Sequence, residues 1–549
     1  MFFNSLFNSF VYDDDLQIIS NPLVHSFSNL PYFFMGGNFF DAGTSQIISV
    51  FYRPILSTVF TLIYSISGGQ PFMFHLVQLL LHITNACLVY ILFKKFFKNT
   101  LSFFLALVFL VHPINQEAVV YISDLQENLF FFFGMIALLI SSSAIKNMRK
   151  VLLVNVFLLL GLFSKETAIL FIPIIILYIY VWQRKTFTKV YFFSILATTI
   201  VYLYIRFFVV HVAKITDALV PIMQATFIER LTTMPAIMFY YLKIFFFPSQ
   251  LALGYSWVVK SLTFSQFCLP LFVDLIFLSA IYFLGVIVRK TNKKFFPVYL
   301  FFVCWFVLGL GMHMQIVPLD MTVADRWFYF PIVGLLGIFG VVFSFNWHIK
   351  IHKNIIITIA VILIVLLSLK TIVRNTNWSN MLTLCQHDLK IVPESYSVQS
   401  VCGSELLKVG QYEDAKKHYA KAAELAPKWG SNWYQYGLSY EYTKDIPKAR
   451  EYFHRSIQLS NEVNAYVSLA ATYLKNENDP KAAKQIVEEG LKSYPRYQRL
   501  QLYLAVCEYK LGNKQKALDL ATKIYQTNPT PESQYVLTQI SINQEVKLQ

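Results

Sequence analysis

Along the first 373 residues, long apolar runs alternate with short basic loops, whereas from about residue 396 the apolar positions thin out to one face of a 3.6-residue period. A helix crossing a bilayer needs roughly 17 to 25 apolar residues. Runs of that kind lie near 72–93, 96–112, 128–145, 149–164, 166–183, 189–210, 264–288, 295–314, 326–346 and 354–373. They predict about ten spans. The apolar segment at 231–248 has Arg230 and Lys243 near its ends, which predicts a surface-lying or re-entrant helix. The C-terminal pattern predicts amphipathic helices packed on one another, so the expected fold class is all-α: a polytopic helix bundle followed by a helical solenoid.

Composition agrees with the bundle. Of 549 residues, 56% are hydrophobic and 14% charged, against a charged share of about 25% in soluble chains. The basic excess is concentrated in residues 1–380, with 25 Lys and Arg against 13 Asp and Glu; residues 381–549 hold 21 against 18. These bases sit in loops between apolar spans rather than in a stripe interleaved with aromatics, which argues for membrane orientation and against nucleic-acid binding. The clusters Lys94/Lys95/Lys98, Lys146/Arg149/Lys150, Arg184/Lys185/Lys189, Arg289/Lys290/Lys293/Lys294 and Lys350/Lys353 all fall on one side of a ten-span layout, the expected cytoplasmic side. The opposite side collects Asp13 to Asp15, His112 to Glu117, Lys165-Glu166, the 315–325 loop and the C-terminal domain. Only Met1 to Phe10 precede the acidic loop, too few to cross or to form a signal peptide, so a first helix is expected ahead of that loop, either upstream of Met1 or lost. The six cysteines show neither CxxC pairs nor metal-ligand spacing. Pairing among Cys385, Cys402 and Cys507 is chemically possible if they lie outside the cytoplasm.

The C-terminal part repeats with a period of 34: Ala415, Ala449, Ala483 and Ala517 recur in register, with Pro427, Pro495 and Pro529 and with Asn461 in the fourth slot. Trp433, Tyr436-Gly437, Tyr440, Ala449 and Phe453 complete the tetratricopeptide pattern in the fullest unit. The expected organisation is a membrane domain at 1–380, a linker at 381–395, and a repeat domain at 396–549 made of four repeats and a capping helix. Arrays of this kind present concave surfaces, so a protein or peptide partner is expected.

Three consecutive acids, Asp13 to Asp15, beside a membrane are expensive to keep and point to chemistry such as removal of a hydroxyl proton. Further blocks follow in order: Asn4-Ser5-Leu6 leading to Tyr12-Asp13-Asp14; Tyr52-Arg53-Pro54; Phe74-His75-Leu76-Val77 with Leu81-His82; His112-Pro113 with Glu117-Ala118-Val119; Lys165-Glu166; Tyr241-Leu242-Lys243 with Phe247-Pro248; and Ala324-Asp325-Arg326-Trp327 with Tyr329 and Pro331. Ahead of tetratricopeptide repeats, this series resembles the transmembrane-and-tetratricopeptide-repeat O-mannosyltransferase family and its prokaryotic relatives.

The resemblance implies a GT-C glycosyltransferase, an integral multi-pass protein of a cell membrane, moving a sugar, mannose by analogy, from a polyprenyl-phosphate carrier to protein Ser/Thr hydroxyls on the non-cytoplasmic face with inversion. It places the catalytic acids at Asp13 and Asp14, leaving Asp15 outside the match. Cations for the departing phosphate are Arg326, Arg53 and Lys165, because a guanidinium fork bonds two phosphate oxygens. His112, Glu117, Glu166 and Asp325 are expected to position the acceptor or the acidic loop, while His75 and His82 read as interhelical packing. A divalent ion, Mg²⁺ or Mn²⁺, has only Asp13 and Asp14 as candidate ligands. Asp124-Leu125-Gln126-Glu127 stands where relatives carry a basic residue, which weakens a phosphate role for that loop. Two other classes compete: a membrane-anchored repeat scaffold without catalysis, and a polyprenyl-linked glycan ligase or polymerase, which the short His313–Asp325 loop disfavours.

Overall fold

The computed structural model describes residues 1–36, 39–41, 46–48, 51–143, 147–183, 189–210, 220–344 and 353–547. Lys146, Arg184, Lys185 and Lys350 of the basic loops therefore lie outside the described residues. The chain divides into two compact units, one holding Met1–Phe40 and Ile47–Ile391, the other Asp41–Gln46 and Val392–Gln549.

Each of the ten apolar runs is helical in the first unit. Among the described residues, five helices are long and apolar enough to cross a membrane: Pro71–Phe93, Ile122–Ser141, Tyr191–Val209, Phe264–Thr291 and Asn354–Asn377. A sixth is the pair Asn99–Val111 and Pro113–Val120, bent by 49°. Glu166–Trp182, Phe296–Gly311 and Pro331–Ser344 are shorter, and so is Pro54–Ser67, which the hydrophobic pattern does not single out. Among the described residues, length and composition thus mark five or six full-length spans, against the ten expected from the sequence. Phe227–Phe246 carries Glu229, Arg230 and Lys243 and contains Pro235; it is not among the candidate spans. Among the described residues, the strands are Phe39–Asp41 and Gln46–Ile48, paired with each other.

The first unit is organised around Val111–Phe131, which is buried without interruption. The bend at its start follows from His112-Pro113: proline lacks an N–H, and the residue before it avoids helical geometry. His112 then caps the next turn, its Nδ1 accepting from Ile114 N at 3.1 Å. Three short helical turns, Pro113–Asn115, Gln116–Val120 and Ile122–Asp124, carry the chain into Leu125–Ser141. Polar side chains tie this segment to its neighbours. Gln78 Nε2 donates to Ala118 O and Tyr121 O, both at 2.8 Å, and Tyr329 OH donates to Asn128 Oδ1 at 2.7 Å. His82 also meets Tyr329 OH, at 2.8 Å, and His75 meets Asn8 O at 3.2 Å.

Residues 381–388, expected as linker, instead form the helix Met381–Asp388 within the first unit. The wholly buried Asp388 holds it there, accepting from Leu253 N at 2.8 Å and Arg374 Nη1 at 3.1 Å. A buried carboxylate with a cation and a backbone N–H is a strong local constraint, and it moves the division of the chain to Ile391/Val392.

In the second unit, four helix pairs run Tyr396–Lys408/Tyr412–Leu425, Gly430–Tyr442/Ile446–Ser460, Val463–Thr472/Pro480–Ser493 and Gln498–Lys510/Lys514–Thr527, followed by Pro531–Ser541. The four in-register alanines are completely buried, which lets the paired helices approach closely. The turn inside each pair repeats a backbone feature at the same period. Gly410, Lys444, Asn478 and Gly512 have φ of +78°, +64°, +49° and +87°. Glycine adopts this left-handed geometry freely and Asn tolerates it, but Lys444 pays a steric cost on the order of 1 kcal/mol. Lys444→Gly is therefore expected to stabilise the repeat unit by about 0.5 to 1 kcal/mol in chemical denaturation followed by far-UV circular dichroism; a loss of stability would mean that the Lys444 side chain contributes more than its backbone strain.

Candidate active site

The acidic loop and the buried Val111–Phe131 segment form one bonded assembly. Asp14 is fully buried and accepts from Val11 N at 2.9 Å, Ser123 N at 2.7 Å and Ser123 Oγ at 2.6 Å. Burial pushes its pKa up to about 7, against the bonds from Ser123 and Val11 that favour the carboxylate. Asp13, its neighbour, is exposed, and its backbone N–H donates to Tyr121 OH at 3.1 Å. Desolvation by the surrounding protein raises the Asp13 pKa above the ordinary carboxylate range; Arg326 and the Tyr121 hydroxyl pull it down, and Asp320 adds to the rise. Tyr12, just before it, has φ +49°. A left-handed tyrosine is strained, and such strain persists only where the surroundings impose it. Here the Asp14 clamp on one side and Tyr121 on the other impose it, turning Asp13 outward. Asp15, outside the matched pair, bonds only locally, accepting from Ser20 Oγ at 2.9 Å.

Arg326 reaches the same segment from the far end of the sequence. Its backbone N donates to Glu117 Oε2 at 3.0 Å, its Nη1 pairs with Glu117 Oε1, and Nη1 lies 3.5 Å from Asp124 Oδ2. The Arg326 Nε and Nη2 make no hydrogen bond to the protein among the described residues. The acids around Arg326 raise its pKa despite burial, so its charge is fixed. Glu117, expected to position the acceptor or the acidic loop, here holds the 325–328 turn through Arg326. Asp325 accepts from Tyr240 OH, on the helix Phe227–Phe246. Burial, with the charge of Glu117, raises the Asp325 pKa well above the usual range.

The other two predicted cations are also paired. Lys165 forms a buried ion pair with Glu127. Arg53 donates through Nη1 to Gln126 Oε1 at 2.6 Å and through Nη2 to Glu166 Oε1 at 3.0 Å. Gln126 Nε2 in turn reaches Asp124 Oδ1 at 3.2 Å, linking this group to Arg326. Asp124 and Glu127, which in sequence argue against a phosphate role, are counter-ions of Arg326 and Lys165, while Arg53 is paired with Glu166. His112 has both ring nitrogens engaged, Nε2 meeting Phe245 O at 2.9 Å, and is stacked on the Phe245 ring; it fixes the helix Phe227–Phe246 rather than the acidic loop.

Sequence reasoning misses Asp124, Glu127, Tyr121 and Ser123 as members of the site, although all follow within eight residues of the block His112–Val119. It also misses Arg206, whose Nη1 is 3.6 Å from Glu166 Oε2 and which looks in sequence like the end of an apolar span. Among the described residues, no group of three or more His, Cys, Asp or Glu is arranged to hold a metal. Asp14 accepts from three donors through its two oxygens, so of the two candidate ligands for a divalent ion Asp13 is the more open.

Comparison with known proteins places these residues in context. Residues 53–209, which include Arg53, Glu117, Asp124, Glu127, Lys165 and Arg206, match the family model described as dolichyl-phosphate-mannose-protein mannosyltransferase. Residues 402–428 and 468–530 match tetratricopeptide repeat models. Protein O-mannosyl-transferase F38B6.6 of Caenorhabditis elegans is 25% identical over 78% of the chain and 61% of its own length. Human protein O-mannosyl-transferase TMTC3 is 22% identical over 95% of the chain and 62% of its own length. Human TMTC1 is 38% identical over a shorter stretch, 21% of the chain and 13% of the relative. The chain thus spans about three fifths of the length of the first two relatives. With a mannosyltransferase-type membrane domain joined to tetratricopeptide repeats, it is a homologue of the transmembrane-and-tetratricopeptide-repeat O-mannosyltransferases.

Proposed function

We propose that the first unit is a GT-C glycosyltransferase that moves mannose from a polyprenyl-phosphate carrier to Ser or Thr hydroxyls of proteins at the non-cytoplasmic face of a cell membrane, and that the repeats present the acceptor protein. The observation that carries this reading is the division of labour in the acidic loop. Asp14, Glu117, Asp124, Glu127 and Asp325 are buried, while Asp13 is exposed and held outward by a strained backbone. A carboxylate kept accessible, with its pKa raised, is suited to accept a proton. Asp13 takes the hydroxyl proton, the acceptor oxygen bonds to the anomeric carbon, and the bond from that carbon to the phosphate oxygen breaks, inverting the configuration. The Nε and Nη2 groups of Arg326 are oriented donors for the charge that develops on the leaving phosphate. Asp14 supports the reaction by fixing the loop.

The external placement draws on the loop charges of the sequence: Lys94, Lys95 and Lys98, Arg149 and Lys150, and Arg289, Lys290, Lys293 and Lys294 fall between spans on the side opposite the acidic loop in the expected layout. The mutual pairing of every cation in the network also suits a scaffold that has kept the network for stability alone, and a loss of transfer confined to Asp13 separates the two readings.

In membranes supplied with polyprenyl-phosphate mannose and a Ser/Thr-rich protein acceptor, Asp13→Asn is expected to lower transfer about a hundredfold or more while the protein accumulates normally. Asp14→Asn is expected to lower both transfer and folded yield, and Asp15→Asn to change little. The acid limb of the rate against pH should lie above the ordinary carboxylate range, because Asp13 must be deprotonated and its pKa is raised. Equal transfer by the parent and Asp13→Asn would refute the assignment.

Arg326 is tied to folding more closely than a phosphate ligand need be. Arg326→Gln alone leaves Glu117 buried and unpaired, an expected loss of about 3 to 5 kcal/mol, measurable as a lower unfolding temperature in detergent. The double variant Glu117→Gln/Arg326→Gln should recover most of that stability, yet still use the donor poorly and shift the acid limb to higher pH, since Arg326 lowers the Asp13 pKa. A double variant with parental donor use would reduce Arg326 to a structural counter-ion.

A further inference from the structure

The helix Lys189–Tyr204 continues into a π-helical turn, Ile205–Val209, that carries Arg206. Together they make the apolar span Tyr191–Val209, of which only 11% is buried inside the protein. Around Arg206 the side chains of Tyr204, Phe207, Phe208 and Val209 are exposed by 59%, 50%, 68% and 51%, the surface of a helix that faces lipid. An arginine in such a position is costly unless its charge is used. The guanidinium turns inward: Nη1 donates to Tyr202 OH at 3.0 Å and lies 3.6 Å from Glu166 Oε2. Its Nε and Nη2 make no hydrogen bond to the protein among the described residues. Glu166 is shared, because Arg53 grips both of its oxygens, Nη2 donating to Oε1 at 3.0 Å and Nε to Oε2 at 3.4 Å.

One carboxylate therefore sits between two guanidinium groups, with Arg53 engaging both of its oxygens and Arg206 approaching Oε2. The group carries a net single positive charge. It is also most open at the anion: the Glu166 side chain is 29% exposed, Arg206 14% and Arg53 9%. A structural ion pair beside lipid is best charge-matched, whereas two forks converging on a small, partly open anion are the arrangement that binds a phosphate. The helix is held in register for this. Asn155 Nδ2 donates to Ser194 Oγ at 3.1 Å, and Thr198 Oγ1 donates to Asn155 Oδ1 at 2.8 Å. Single π-turns inside helices recur at functional sites, and here the turn coincides with Arg206.

We propose that Arg206 and Arg53 form a receptor for the phosphate of a membrane-borne phosphate ester, with Glu166 as the resident anion that the phosphate replaces. The proposal rests on the glycosyltransferase reading for its ligand, the carrier lipid, and extends that site to a residue outside it. The lipid source is favoured over free phosphate because the exposed surface around Arg206 is aromatic and aliphatic, fit for a hydrocarbon chain rather than a hydrated ion.

The test uses the full chain in phosphatidylcholine nanodiscs, with polyprenyl phosphate in one arm and inorganic phosphate in the other, and mannosyl transfer and thermal unfolding followed in parallel. Arg206→Gln is expected to weaken polyprenyl phosphate binding about tenfold or more through loss of a charge-assisted contact. Glu166→Gln is expected to tighten binding, because the competing charge is gone; a purely structural triad would instead lose stability with no gain in affinity. If Arg206→Gln fails to accumulate, Arg206→Lys, which keeps the charge, should accumulate and bind with intermediate affinity. Parental affinity in Arg206→Gln, unchanged or weaker binding in folded Glu166→Gln, or equal affinity for inorganic phosphate would each overturn the proposal. Arg206-dependent lipid binding in a parent that transfers no mannose would overturn the reaction and leave the receptor standing, and full transfer with binding indifferent to Arg206 would do the reverse.

Discussion

The first unit depends on burying Glu117, Asp124 and Glu127 within a continuous buried segment of a membrane helix bundle. A carboxylate taken out of water must be paired or protonated, because the desolvation penalty far exceeds what packing returns. The cations therefore come from distant parts of the chain: Arg326 for Glu117 and Asp124, and Lys165 for Glu127. Each pair fixes a helix end against the Val111–Phe131 segment. The same segment supplies Ser123 to Asp14 and Tyr121 to the Asp13 backbone, so the geometry of the accessible acid follows from the charge pairing beneath it.

This arrangement explains why a loop beside a membrane can keep adjacent acids. Asp14 is held by three donors and acts as a clamp, while Asp13 is turned outward by a strained Tyr12. The raised pKa values of both belong to the same cause, desolvation, opposed to different extents by neighbouring donors and by Arg326. A site assembled in this way is rigid where it bonds and open at one carboxylate, which is what a base needs.

Much of the architecture is legible in the sequence because it rests on periodicity. The apolar runs become helices, and the 34-residue alanine register becomes four buried helix-pair contacts. The site is less legible, since its partners are separated by 209 residues in the case of Glu117 and Arg326, and no local pattern encodes such a pair. Asp124 and Glu127 look like departures from a basic motif until their counter-ions are placed. Nothing local separates Asp13 from Asp14 except the backbone turn between them. Arg206 is hidden in an apolar run, and Met381–Asp388 resembles a linker until the buried Asp388 is seen. The left-handed turns at Gly410, Lys444, Asn478 and Gly512 repeat at the alanine period but in four residues of three types, so conformation recurs where identity does not.

The most direct test of the account is to incubate the purified full chain in nanodiscs with polyprenyl-phosphate mannose and a Ser/Thr-containing protein, then read the acceptor by intact mass and the new linkage by nuclear magnetic resonance. Addition of a hexose to a Ser or Thr oxygen, with an anomeric configuration opposite to that of the donor, is expected. Retention of the donor's configuration would contradict direct displacement assisted by Asp13, and absence of any hexose on the acceptor would contradict the transferase reading itself.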